Sequence, residues 1–413
     1  MKKLSSISKA LMMGVLLTFS LSSCSDDNDG GDDFSAKDSE LSALTGRYVN
    51  DVIYVTYGEL ASQTERLYEQ LDAAKAKFRA NTLTQNDIDN ICTTFLAARA
   101  AWEKSEAFLF GPATTFGIDP HIDTWPLNVT QLAIDLSNSE KVKNLDGEDG
   151  IEYARTGLDE SLLGFHGIEF IIFRDGRNRT LAELRSNETD NAFAGRTVTG
   201  EQELIFATAV AGDLRDKCFQ LEVSWMGDKA PASHVDRVEE CEFNTTVNGN
   251  GLSFGEDMLN AGKAGSTYTT WRNVTTTILV AGCANIAQEV SDQKMGQAYR
   301  GDDVNYIESP YSKKSFLDFY DNIISIKNSL YGNIDGTTWH RESVMAYLTQ
   351  HNPDIAAELN AKLNGALTAL TACRNSGTAF VDAPNAAYVK TAMDAIGDLD
   401  EKLNEAAQWI ARN

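Results

Sequence analysis

Two residues three apart, His166 and Glu169, sit in the run Gly164-Phe165-His166-Gly167-Ile168-Glu169, inside the apolar stretch Ser161 to Phe173. On a helix that spacing turns both side chains to one side. Leu162, Leu163, Phe165, Ile168, Phe170, Ile171, Ile172 and Phe173 surround them, so the helix is apolar nearly all round and expected to be buried. An imidazole and a carboxylate there cost free energy unless paired, hydrogen-bonded or bound to a metal ion. Gly164 and Gly167 each give up about 1 kcal/mol of helix propensity relative to alanine. They make sense where another backbone or a ligand comes close. The segment reads as a site, and a His–Glu ion pair bridging two buried helices is the structural alternative.

Glu106 is the second polar residue to explain, four after Trp102 and three before Leu109 on the packed stripe of its helix. A carboxylate so placed meets a cation or caps a loop, and it could approach the His166 helix. His121, alone in a loop, is expected to be exposed.

GxHxxE on an apolar helix resembles the signature of the imelysin-like family. Ala101-Trp102-Glu103-Lys104-Ser105-Glu106-Ala107-Phe108 and Ile122-Asp123-Thr124-Trp125-Pro126-Leu127 precede it as in that family. Glu308-Ser309, Asp321-Asn322-Ile323 and Tyr331-Gly332 resemble its second-half blocks more loosely. The likeness runs from about Leu41 to the C-terminus. It implies an all-α fold of two helical bundles with a functional site at their interface. Asp123 and Trp125 would line that site beside Gly164, and Glu308 and Ser309 would close it from the other half.

A histidine nitrogen with carboxylate oxygens suits iron, manganese or zinc, and no cysteine or methionine is spaced to select copper(I). His166, Glu169 and Glu106 are the expected ligands. The resemblance implies a part in bacterial iron uptake, which makes iron the first expectation. Affinity should then fall below about pH 6.5, the ordinary imidazole value. A second reading makes GxHxxE structural and the protein a surface module for a larger partner, such as a haem or siderophore carrier or a receptor.

A peptidase is the third reading, because the family was first described as an insulin-cleaving membrane protease. A zinc peptidase usually needs two histidines plus a base, as in HExxH. His121, His234, His340 and His351 show no such spacing around His166, and Ser161 lacks a GxSxG context. No enzymatic turnover is expected.

Lys2 and Lys3, the apolar run Leu11 to Phe19 and the lipobox Leu21-Ser22-Ser23-Cys24 read as a lipoprotein export signal over 1–23. Cys24 is the expected lipidation site, anchoring the protein to a membrane without crossing it. The acidic, glycine-rich segment after it is expected to be a disordered tether over 24–40. It resembles the acidic signal of surface-displayed Bacteroidetes lipoproteins, implying the outer membrane and the cell surface, with a periplasm-facing anchor as the alternative.

The formal charge of −24 becomes more negative once Lys2, Lys3 and Lys9 leave with the signal. A nucleic-acid partner is therefore not expected, since phosphate binding needs a basic footprint. The expected partners are the membrane, through the lipid, and an iron-transport component. The other cysteines form no CxxC pair; a Cys218–Cys241 disulfide is the favoured pairing.

Helical periodicity positions all of this. Leu60, Thr64, Leu67, Leu71, Ala74 and Phe78 form one seam, and Ile88, Ile91, Phe95, Ala98, Trp102 and Leu109 a second. Phe316 to Leu330, Ile355 to Leu370 and Tyr388 to Ile410 repeat the rhythm. Residues 111–129 and 174–200 read as long functional loops. Asn248-Gly249-Asn250-Gly251 suggests a small hairpin. The expected boundary lies in the same break, Met226 to Gly255, near Phe243, giving an N-terminal domain over 41–243 and a C-terminal bundle over 244–413.

Overall fold

The seams become helices in the computed structural model, which describes residues 31–413, with side chains from residue 36. The helices that frame the site are α1 (Gly31–Tyr48), α2 (Tyr54–Arg79), α3 (Gln85–Glu103), α4 (Ile118–Ile122), α5 (Gly164–Ile172), α6 (Gly200–Met226), α7 (Ser315–Tyr331), α8 (Pro353–Arg374) and α9 (Ala387–Arg412). Capping explains two starts. Thr84 and Asp87 begin α3 with reciprocal side-chain and backbone hydrogen bonds, and Thr199 and Gln202 do the same for α6. The buried faces of α2, α3, α8 and α9 follow the periodic residues, with Leu60, Leu67, Ile91, Trp102, Leu363 and Leu403 all inside.

In the first half α2 packs between α3 and α6; in the second α8 lies along α9 and against α7. The halves are not separate cores. One apolar cluster runs from Leu41 to Ile410, because α7 docks on α3 and the 106–108 turn packs on the segment Ile278–Ala284. The core therefore does not divide at the expected boundary near 243.

Several local expectations are corrected. The last part of the expected tether, 31–40, is helical and belongs to α1. Its stripe packs on the second half, where Asp38 pairs with Arg272 at 2.6 Å and Glu40 meets His351. The Asn248–Gly251 cluster makes a single 3₁₀ turn, Val247–Gly249, rather than a hairpin. The one two-stranded ribbon among the described residues pairs β1 (Phe173–Arg174) with β2 (Arg177–Asn178), inside the expected loop. Cys218 and Cys241 are unlinked thiols: Cys218 is buried on α6, and Cys241 points at the Asp216 carboxylate. The export signal and the lipidation of Cys24 lie outside the described residues, among which no helix is long and apolar enough to cross a membrane.

Candidate metal centre

Gly164 sets the geometry of the site. It starts α5 with φ +65°, and a Cβ there would overlap the carbonyl group of Ile122. Only glycine permits this approach without strain. The contact brings the end of α4 against the start of α5, and Asp123, the next residue, reaches His166. Gly167 admits the Leu162 carbonyl in the same way. The close partner expected at both glycines is backbone.

Every residue of α5 is buried, so the polar groups of His166 and Glu169 must find partners inside. His166 Nε2 lies 2.9 Å from Asp123 Oδ1 and Nδ1 lies 3.3 Å from Glu169 Oε2. Glu169 also accepts from the backbone N–H of Ser312 at 2.8 Å. A carboxylate on each ring nitrogen favours the imidazolium, which can donate to both. Burial opposes that charge, but the hydrogen bonds of Asp123 and Glu169 outweigh it and lift His166 to about 9. This ion pairing supports the fold fully below the ordinary imidazole range and is lost as pH rises through 9.

Asp123 has further partners. Trp102 Nε1 donates to Oδ2 at 2.7 Å, and Arg99 pairs with Oδ1. Burial works against this carboxylate, yet Arg99 and His166 hold it well below the usual range. Arg99 lies on α3 one turn before Glu103, with its guanidinium over the Phe165 ring at 5.2 Å. It also binds Glu103 and, at 2.6 Å, Glu308, with Asp318 at 3.9 Å.

Helix α3 stops at Glu103, so Glu106 is not on the same helix as Trp102. It stands in the 3₁₀ turn Glu106–Phe108. Gly282 lets the Ala107 carbonyl approach, and Ser325 accepts from Ala107 N–H at 3.0 Å. There Glu106 meets the ammonium of Lys294 at 3.5 Å. Asn322 on α7 donates to Glu103.

Six buried carboxylates (Glu103, Glu106, Asp123, Glu169, Glu308 and Asp318) thus face two buried permanent cations, Arg99 and Lys294, and one imidazole. Burial pushes Glu103 and Glu106 well up and Asp318 to about 7. The acids outnumber their counter-charges. Buried oxygens of Glu308 (Oε2) and Asp318 (Oδ2) accept no hydrogen bond.

Two overlapping donor groups emerge, Asp123–His166–Glu308 and Glu103–Glu106–Asp123, each with one ligand atom per residue mutually within 4.8 Å. Imidazole and carboxylate donors, unpartnered oxygens and surplus acid fit a metal cation. The expected ligands divide. His166 is in the first group and Glu106 in the second, whereas Glu169 is in neither, its oxygens turned to Ser312 and the far side of the ring. Asp123 and Glu308, expected only to line the site, are the carboxylates grouped with His166. Ser309 acts on the Asp318 carboxyl, opposing the upward push of burial, and Trp125 packs on Tyr306 with ring centroids 4.1 Å apart. His121, expected to be exposed, is instead half-buried and held by Asp213 at 2.7 Å.

Arg99, Lys294 and Asp318 did not emerge from sequence reasoning, and Glu103 and Asn322 appeared there only within family-like blocks, with no role given. The available signal for Arg99 and Glu103 was a cation one residue after Ala98, four before an acid, on a packed stripe. A cavity of about 500 Å³ beside β1 and β2 is lined by none of these residues, and its arginines Arg174, Arg177 and Arg179 are paired with Glu188, Glu183 and Glu203.

This arrangement stands beside three comparisons. The imelysin (peptidase M75) family model matches residues 53–406. The chain belongs to the imelysin family. It is similar to iron-regulated protein A of Synechococcus elongatus, 23% identical over 327 residues, 79% of this chain and 74% of that one. Among solved structures it resembles a Parabacteroides distasonis protein provisionally named an iron-regulated protein A precursor. The TM-score is 0.71 at 23% identity, over 90% of this chain and 95% of that one. An imelysin-like protein from Psychrobacter arcticum gives 0.53 at 12% identity, over 88% and 93%. These likenesses establish the all-α imelysin fold.

Proposed function

We propose that this imelysin-family protein captures a metal cation, iron first, at the Asp123–His166–Glu308 cluster and passes it on for bacterial uptake without turnover. The observation that carries this reading is the buried imidazole, flanked by carboxylates within a surplus of acid. His166 Nε2, Asp123 and Glu308 would be the donors. Glu169 would hold the other ring nitrogen, the arrangement that orients ligating histidines. Glu106 and Glu103 would complete the acidic side. The relative's name, iron-regulated protein A, supports iron as the cargo. Attachment through a lipid on Cys24 to the outer membrane, facing the cell surface, and delivery to an iron-transport component belong to the same proposal.

The test is titration of the metal-stripped protein with Fe(II), Fe(III), Zn(II) and Cu(II). Stoichiometric binding is expected, abolished in Asp123→Ala and His166→Ala. In Glu169→Ala it should weaken about 10- to 100-fold, as for a residue that orients a ligand. Cleavage of unfolded insulin chain that depends on metal and on Glu169 would instead favour a peptidase.

Because His166 holds its proton up to about 9, the metal must displace that proton at neutral pH. The expected window thus lies above the ordinary imidazole value. Fe(II) or Zn(II) affinity should rise about tenfold per pH unit from 6 to 8, with proton release seen by calorimetry in buffers of different ionisation enthalpy. A flat profile would mean that His166 does not ligate.

One observation favours a second reading. Arg99 already binds Asp123, Glu103 and Glu308, so the cluster could serve as an ion network that fixes the fold, in a module recognising a larger partner. Absent metal binding, with loss of folding in the His166 and Glu169 variants, would select it.

A further inference from the structure

We propose that the ammonium of Lys294 is a resident cation that an incoming metal ion must displace from Glu103, Glu106 and Glu308, so that Lys294 sets the affinity of the site. The inference rests on the metal-capture reading above and adds to it the residue that governs exchange.

The two buried cations hold the acids differently. Arg99 makes close contacts, with Glu308 at 2.6 Å and with Glu103 and Asp123. Its planar fork is suited to binding carboxylates tightly. Lys294 sits among three carboxylates at 3.1 Å (Glu308), 3.5 Å (Glu106) and 3.8 Å (Glu103). Only the first is a short hydrogen bond. Lys294 is a point charge on a flexible stem, loosely held by oxygens that a divalent ion would draw to about 2.0–2.2 Å. Its side chain is 2% exposed. A metal ion on Asp123, His166 and Glu308 competes with the ammonium for Glu308, and one that also draws in Glu106 and Glu103 takes over its position.

Two further observations point the same way. Glu308 Oε1 serves both Arg99 and Lys294, while its Oε2 is buried and accepts nothing. Glu308 therefore retains an oxygen for another cation. Lys294 also ends the π-helical segment Val290–Lys294. Such segments carry one residue more per turn than an α-helix and cluster at functional sites. Here the π turn ends on an interior lysine, four residues after buried Val290 and seven after buried Ala287. Exchange at Lys294 is a movement of charge and needs no bond made or broken at the lysine.

The test uses the full chain as wild type, Lys294→Met and Lys294→Arg, each stripped of metal, with Zn(II) and anaerobic Fe(II) as probes. Lys294→Met should bind at least about tenfold more tightly than wild type, since a unit charge within 4 Å no longer competes. It should also be less stable without metal and recover more in melting temperature than wild type when metal is added. Lys294→Arg, which keeps the charge, should bind no more tightly than wild type. If Lys294→Met folds only with metal present, the inference stands; if no metal restores its fold, it fails. Wild-type binding with no gain in Lys294→Met overturns the role of Lys294 and leaves the capture reading intact. Binding by Lys294→Met alone supports a blocking lysine, and binding by neither protein overturns both.

Discussion

Adding one methyl group at Gly164 should destabilise the protein by roughly 3 kcal/mol, from backbone strain at positive φ together with overpacking. The residue has φ +65°, and its missing Cβ would fall on the Ile122 carbonyl. Relief requires α4 and α5 to part, and Asp123 follows Ile122 directly. Gly164→Ala should therefore also pull Asp123 away from His166, which are 2.9 Å apart. His166 would lose much of what holds its proton, and its titration by NMR should move down from about 9. Urea unfolding measures the first effect. A variant within about 0.5 kcal/mol of wild type, the range of neutral surface changes, would mean that the two backbones are not in contact.

The second large effect is expected at Arg99. Arg99→Met keeps much of the side-chain volume but removes the charge shared by Asp123, Glu103, Glu308 and Asp318. Breaking a buried ion cluster by deleting one partner costs about 3–5 kcal/mol, because the remaining charges stay desolvated. The loss should depend on pH in a defined direction. Buried acids without their cation titrate above their unfolded values, so their penalty grows as pH rises past the ordinary carboxylate range. The gap between Arg99→Met and wild type in chemical denaturation should be smaller at pH 5 than at pH 8. An equal gap at both would show that the acids retain their protons with or without Arg99.

Much of the fold was legible because most helices bury one face only. In α2, α3, α8 and α9 the apolar residues fall three and four apart, and those positions are buried. Helix α6 left no such trace. It is covered on nearly all sides, with Glu203, Asp213, Asp216 and Glu222 buried beside Leu204, Phe206 and Leu214, so burial ceases to follow hydrophobic spacing. Within the site, GxHxxE announced itself by placing polar residues in an oily helix, and Asp123, Glu106 and Glu308 gathered near it. The roles were less legible. Nothing local could show that Glu169 turns toward Ser312 N–H, a contact across 143 positions of sequence. Lys294 was hidden for another reason: a lysine ordinarily reads as a solvated charge, and the acids that hold it inside, Glu103, Glu106 and Glu308, come from distant parts of the chain.

The turn between α1 and α2 has a mechanical consequence. Val49–Ile53 is π-helical with helical residues on both sides, so 31–79 forms one unbroken rod. At about 1.5 Å per residue it is roughly 70 Å long. Its leading end rests on the second half of the molecule and its trailing end on the first. The cluster draws residues from both halves, so any separation of those halves must bend this shared beam, whose one irregular turn is Val49–Ile53.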